Sequence, residues 1–464
     1  SYAVLEYLLT QGKSFFTGAG DFDQVIHRWA GADVNFIRTR FAQGWQSVET
    51  RPLTQTYRHG PIMALATAAL KNKEVVSGRN HETRILVESY ADQRAAAERV
   101  AANVLDWKTR GGHLDACAII LRAPYQSILI ENALLEAGIG WRVEGLESYL
   151  LRSEILMLRG VIAFALNDYE SIPGVEKRLK VLQALLLWQQ FEWGANRLDD
   201  AALKTAAEQP DLFDAFLKGT LLKPQTRADK QAADSTSDQE TEADFRFLEK
   251  VSALRKSGRH DEANTLANLR RLDAETIDET PVQRGARMRL EQTLAMLREA
   301  PPDEPAWSVL ERAVDMLALK KVARQIFIAP STAVMVARSI DGFIDGSRRN
   351  NLSLRDFAIW LRKAEVKALK LRASNTVLLC TVEAAKGQEF ESVMLPCLEV
   401  GTFPLSGSDP AEESNRFYVA LTRARDELTL YIPDNPARVS PYVKDMNVDR
   451  AISRGRLQID IQFG

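Results

Sequence analysis

Cysteine is scarce in this chain and what there is lies scattered: Cys117, Cys380 and Cys397 are the only thiols in 464 residues. Each sits in an apolar run (A-C-A-I-I-L, V-L-L-C-T-V, V-M-L-P-C-L). That spacing excludes a zinc tetrad or an iron–sulfur cluster, and no other metal site is expected. It points to core thiols in buried strands of a cytoplasmic protein. Long apolar runs are missing too, none approaching the ~20 residues needed to cross a bilayer. The opening S-Y-A-V-L-E-Y-L-L has neither the basic start nor the small-residue cleavage site of a secretory signal. Net charge is nearly absent: 60 Lys and Arg against 62 Asp and Glu leave -2. A nucleic-acid partner is neither supported nor excluded by that total, because a local basic stripe decides such binding. No G-x-x-x-x-G-K-[ST] loop occurs, so the chain lacks a phosphate cradle of the Walker A kind.

What remains is the composition of an ordinary globular protein, 45% hydrophobic and 26% charged, long enough for roughly two to four domains. Residues 1–78 read as part of an α/β layer, with a short strand at Lys13–Ala19 and a helix at Pro61–Leu70. A second unit starts near Arg84. R-I-L-V-E-S-Y is a strand and Gln93–Lys108 a helix by periodicity. Cys117–Arg122 is a continuous apolar run, as in a strand buried on both faces. A helix at Gln126–Ala137 is broken by Gly138, and G-W-R-V-E-G opens another strand. Strands alternating with helices predict a mainly parallel sheet. From about 168 to 373 strand signals vanish and helical stretches dominate: Gly174–Trp193, Ala243–Leu269 and Glu304–Gln325. Thr226–Ala243 is polar enough for a solvated helix or mobile loop. After 374 the strand pattern returns in T-V-L-L-C-T-V, S-V-M-L-P-C-L and E-L-T-L-Y-I-P. The simplest account is an α/β domain interrupted by a helical insertion, without internal repeats.

Two blocks carry the most information: T-V-E-A-A-K-G-Q-E-F (Thr381–Phe390) and F-Y-V-A-L-T-R-A-R (Phe417–Arg425). In the first, a glycine after a buried strand permits a tight bend and close backbone approach. In the second, Arg416 and Arg423 are seven residues apart and so share a helix face. The blocks resemble the last two motifs of UvrD/Rep-type superfamily 1 DNA helicases. Three earlier segments are similar to other motifs of that family: T-G-A-G-D-F-D-Q-V-I-H-R-W-A-G-A (Thr17–Ala32), L-T-Q-T-Y-R-H (Leu53–His59) and Ile120–Tyr149.

The resemblance implies roles residue by residue. Gln24 senses the γ-phosphate of ATP, and Arg58 and Arg423 contact it, Arg423 as the arginine finger, a device worth 10³–10⁵ in rate in other NTPases. Tyr57 packs on adenine, Gly387 shapes the nucleotide turn and Glu389 binds the ribose. Trp29 and His27 stack on bases of a single strand, worth roughly 1–3 kcal/mol per base. Arg122 and Thr381 face the nucleic-acid backbone, a contact that positions without reading sequence.

Four positions depart from the family pattern. His27 stands for tyrosine, Ala30 for arginine, Glu383 for histidine and Gln388 for leucine. A carboxylate at 383 would repel a DNA phosphate, so it either points elsewhere or weakens binding. The implied fold is α/β: a RecA-like P-loop motor domain with a parallel sheet, interrupted by a mostly helical insertion and preceded by the end of a first RecA-like domain. The implied boundaries are 1–78 for the end of the first motor domain (1A) and 79–168 with 374–464 for the second (2A). Residues 169–373 form the accessory insertion (2B-like), whose basic run Arg362–Arg372 is either a solvated helix face or a track for duplex phosphates.

The implied activity is ATP-dependent 3′→5′ DNA helicase or translocase work on single-stranded DNA and single/double-strand junctions, with ATP and Mg²⁺ as cofactors. Walker A and the magnesium-binding acidic motif are expected upstream of residue 1. The chain is thus expected to be the C-terminal portion of a longer helicase and inactive alone. A rival expectation is a helicase-like DNA-binding or regulatory subunit without ATPase activity. No membrane partner is expected.

Overall fold

The computed structural model describes residues 2–10, 16–41, 43, 48–190, 200–222, 280–348, 351–372 and 375–462. They fall into two compact units, one of Ser1–Glu147 with Leu369–Gly464 and one of Ser148–Ala368.

The first unit is built on six parallel strands: β3 (Arg84–Tyr90), β4 (Cys117–Leu121), β5 (Trp141–Glu144), β6 (Val377–Thr381), β7 (Phe390–Leu395) and β8 (Ala424–Pro433), in the order β3-β8-β7-β4-β6-β5. All five residues of β4 and of β6 are buried. An inner strand covered on both faces has no polar side to alternate with, hence the unbroken apolar runs. The edge strand β3 keeps alternating exposure. Helices Gln93–Thr109, whose N-cap Asp92 accepts from the Ala95 N–H, and Ser127–Glu136 lie between successive strands. A separate parallel pair, β1 (Gln55–Thr56) with β2 (Val76–Ser77), flanks helix Pro61–Lys71. That helix ends on Asn72 at φ 46°, a left-handed C-cap.

Every strand of the large sheet runs the same way, so its two edges differ. Arg122 follows β4, and Thr381 closes β6 opposite Leu121, at the carboxyl ends. Glu389 and Arg423 directly precede β7 and β8 at the amino ends. Helix Pro410–Leu421 leads back to the amino end of β8.

Every regular element among the described residues of the second unit is helical. Helix Ser153–Leu166 buries 12 of its residues, Glu154–Ala165. It packs with Val175–Trp188 and with Pro281–Glu299. Inside this unit Arg159 Nη2 lies 3.1 Å from Glu365, which also pairs with Lys177. Burial opposes ionisation of Glu365, yet those two cations hold its carboxyl below the usual range.

Several local expectations need amending. The strand expected at Lys13–Ala19 runs into residues 11–15, which lie outside the described residues, and its described part has no strand structure. Glu304–Gln325 is two helices, Ala306–Met316 and Leu319–Ile326, because Ala318 takes φ 52°. No glycine marks that break. Helix Ser153–Leu166 belongs to the helical unit and not with the sheet. It is buried on every face, so its periodicity does not say what it packs on. All three cysteines are buried, but Cys397 sits past the end of β7 at φ 58° and not in a strand. The expected elements at Thr226–Ala243 and Ala243–Leu269 lie outside the described residues.

Candidate functional site

Helix Pro410–Leu421 and the turn after it connect two polar clusters. At the amino ends of β7 and β8, Arg423 is 1% exposed. Its Nε donates to the Val419 carbonyl (2.9 Å), Nη1 to the Gln388 carbonyl (3.0 Å) and Nη2 to Thr422 Oγ1 (3.1 Å). All three acceptors are neutral. Among the described residues no carboxylate lies within ion-pair distance of it. Burial, and then the charge of Arg58, bring its pKa down to about 10. A buried cation with no paired acid, beside a second cation, is an arrangement that an anion would complete.

Arg58 stands next to it. Its Nε donates to Glu389 Oε2 at 2.7 Å and its Nη1 to the Thr422 carbonyl at 3.1 Å. The two residues expected on phosphate and on ribose are thus paired with each other. The hydrogen bond from Arg58 holds the Glu389 carboxyl below its usual range. Tyr57 is largely exposed, its hydroxyl donating to Gln55 Oε1. Gly387 has φ 88°, with nothing within 4 Å of where a Cβ would stand, so backbone conformation alone requires glycine there.

The motif resemblance gives His59 no role. It is buried among these cations, and its pKa is lowered to about 4, by burial first and then by Arg58, Arg423 and Arg79. Its Nδ1 has no hydrogen-bond partner among the described residues. Arg79 extends the cluster, donating to the carbonyls of Arg58 and Arg425 and pairing with Asp426.

Gln24 lies in a short 3₁₀ turn, Phe22–Gln24, capped by Asp21. Its Nε2 donates to Asp21 Oδ2 at 2.9 Å, and its carbonyl accepts from Lys386 Nζ at 2.9 Å. Trp29 and His27 lie at and just before the next turn, Arg28–Ala30.

The second cluster forms where β4 and β6 end. Arg122, expected to face nucleic acid, instead directs Nε to Glu413 Oε2 at 2.8 Å and also bonds Oε1. Glu413 is 0% exposed at its side chain and accepts as well from Arg416 Nη1 and the Leu405 N–H. Arg416 in turn bonds Glu383 at 2.8 Å and Glu412 at 2.7 Å. The carboxylate at 383 therefore points at a cation of the same chain, the first of the two outcomes open to it. Thr381 is buried, and its Oγ1 accepts from the Ala384 N–H as the N-cap of the short helix Val382–Ala385. Arg122 and Glu413 are 291 residues apart in the chain. Nothing local in the sequence announces that pair.

Residues 336–434 match the UvrD-like helicase C-terminal domain. DNA helicase II of Escherichia coli (strain K12) is 25% identical over 433 residues, covering 89% of this chain and 51% of that protein. DNA helicase II of Haemophilus influenzae is 25% identical over 431 residues, with 89% and 50% covered. The ATP-dependent DNA helicase PcrA of Bacillus subtilis (strain 168) is 24% identical over 435 residues, with 89% and 50% covered. The chain spans about half the length of the curated relatives it matches.

Proposed function

We propose, from the kinship of this chain with the UvrD-like superfamily 1 helicases, that its protein is an ATP-driven DNA helicase or translocase moving 3′→5′ on single-stranded DNA and at single/double-strand junctions. In this reading residues 1–78 close a first RecA-like domain and residues 79–147 with 369–464 form a second. The helices between them are an accessory insertion. The observation that carries the proposal is Arg423: a buried guanidinium without an acid partner among the described residues, following a helix whose other end is tied to the carboxyl ends of β4 and β6.

The donor set suits a nucleotide. ATP would supply the scissile phosphoanhydride bond and the free energy of its hydrolysis. Arg58 and Arg423 offer two positive charges at neutral pH toward a triphosphate end, a planar donor geometry that matches phosphoryl oxygens. Glu389 offers its carboxylate to ribose hydroxyls once Arg58 turns from it. Tyr57 presents an exposed ring for a base. Gln24 holds its amide at the loop end, and Lys386 fixes the backbone there. To act as a finger, Arg423 exchanges its bond to the Gln388 carbonyl for a phosphate oxygen. Among the described residues no group of three or more His, Cys, Asp or Glu could hold a metal ion.

Where β4 and β6 end, Thr381 and Arg122 are proposed to meet the strand backbone, and His27 with Trp29 to stack on its bases. Arg122 would do so by sharing its guanidinium between Glu413 and a phosphate. The test is ATP hydrolysis by the protein in its full natural length, with and without single-stranded DNA. DNA-stimulated turnover supports the motor. DNA binding without any hydrolysis overturns it in favour of a helicase-like regulatory subunit.

A further inference from the structure

Two lysines that no motif singles out join the Gln24 loop to the arginine helix. Lys73 Nζ bonds Asp23 Oδ2 at 2.7 Å and Asp21 Oδ1 at 3.5 Å, and donates to Tyr418 Oη at 3.1 Å. It also lies over the Tyr418 ring, 4.4 Å from its centroid. Lys71 Nζ donates to Asn415 Oδ1 at 2.7 Å and Ser414 Oγ at 2.9 Å, with Asp23 at 3.4 Å. Asn415 completes the tie by donating to the carbonyls of Phe22 and Val25, each at 3.2 Å. A cation that combines a carboxylate pair with an aromatic face, partly shielded from water, gains from both.

These contacts form a continuous path. Gln24 Nε2 donates to Asp21, and Asp21 accepts from Lys73. Lys73 donates to the Tyr418 hydroxyl, and the Tyr418 carbonyl accepts from Thr422 Oγ1 at 2.8 Å. Thr422 Oγ1 then accepts from Arg423 Nη2. The Gln24 amide and the Arg423 guanidinium are thus linked through Asp21, Lys73, Tyr418 and Thr422. Burial opposes charge on Lys73, yet Asp23 and Tyr418 keep its pKa above the ordinary lysine range.

We propose that Lys71, Lys73, Asn415 and Tyr418 are positioning residues, a latch that holds the Gln24 loop on the helix presenting Arg423 so that both groups address the same phosphate. This rests on the reading of Gln24 and Arg423 given above. A double-mutant cycle measures the coupling between the two groups directly.

In the full-length protein at saturating single-stranded DNA, kcat and KM for ATP are measured for Lys73→Met, Lys73→Arg, Gln24→Ala and the Gln24→Ala/Lys73→Met double variant. Hydrogen exchange of residues 21–26 is followed in parallel. Lys73→Met lowers kcat about ten- to a hundredfold while KM stays within about threefold, the pattern of a misplaced group rather than lost binding. Lys73→Arg restores most of the rate. The double variant is no slower than Gln24→Ala, and exchange quickens at 21–26 but not in β4 or β6. Unchanged exchange in Lys73→Met overturns the latch whatever the rates are. So does a loss in the double variant equal to the product of the single losses. A wild-type protein without ATP turnover overturns the motor reading and the latch's part in catalysis with it, and exchange alone then decides whether the latch exists.

Discussion

Replacing Arg423 with methionine separates what this residue does for the fold from what it does for turnover. Its pKa is lowered to about 10 from an ordinary value of 12.5. The folded state therefore disfavours the charge by about 3 kcal/mol, at roughly 1.4 kcal/mol per pKa unit. For a base whose folded pKa is depressed, the cost is present wherever the group is protonated in both states. It thus acts at every pH below about 10 and is relieved only above that. Methionine removes the charge and keeps most of the volume. Of the three acceptors, Val419 O keeps a bond from Thr422 Oγ1 at 3.1 Å, and Thr422 Oγ1 keeps its own donations. The Gln388 carbonyl is left without its Arg423 donor, a loss of about 1–3 kcal/mol. The two effects nearly cancel. Arg423→Met should therefore change unfolding free energy at pH 7 by less than about 2 kcal/mol in either direction, measured by urea denaturation. A loss of about 3–5 kcal/mol, the cost of breaking a compensated buried ion pair, would refute the claim that this guanidinium has no acid partner.

Three further outcomes follow from the geometry. His59 has a folded pKa of about 4 against 6.5 unfolded, so the unfolded chain binds the extra proton. Its stabilising effect is complete above pH 6.5 and fades as pH falls toward 4, by up to about 3 kcal/mol; urea unfolding across that window should show a weaker pH dependence in His59→Gln. Glu413→Gln gives Arg122 an uncharged partner in a buried site, while Arg416 keeps Glu383 and Glu412, and should destabilise by about 3–5 kcal/mol in the same assay; a change under about 1 kcal/mol would show that solvent compensates Arg122. Gly387→Ala meets open space but a backbone at φ 88°, so it should cost only about 1–2 kcal/mol, visible as a small drop in thermal midpoint.

The buried strands were legible because an inner parallel strand leaves a local mark, the apolar run of Cys117–Leu121 or Val377–Thr381. Their order across the sheet leaves none, since β8 lies between β3 and β7 although more than 300 residues separate it from β3. The two-residue strands Gln55–Thr56 and Val76–Ser77 are too short for any periodicity. The break at Ala318 has no glycine or proline to signal it. Within the candidate site, residues in compact motifs were legible as candidates: Gln24, Arg58, Gly387, Glu389 and Arg423. The groups around them were not. His59 matters through three arginines brought together by the fold, and Lys71 and Lys73 through partners more than 340 residues away. Arg122 is legible from its motif, but only the fold brings Glu413 to it.

The most direct test of the central claim is ATP hydrolysis by the full-length protein and its Arg423→Ala variant, with single-stranded DNA present and absent. The account predicts DNA-stimulated turnover in the wild type and a loss of about 10³-fold or more in the variant, with nucleotide binding largely kept. Equal turnover in the two proteins would contradict it.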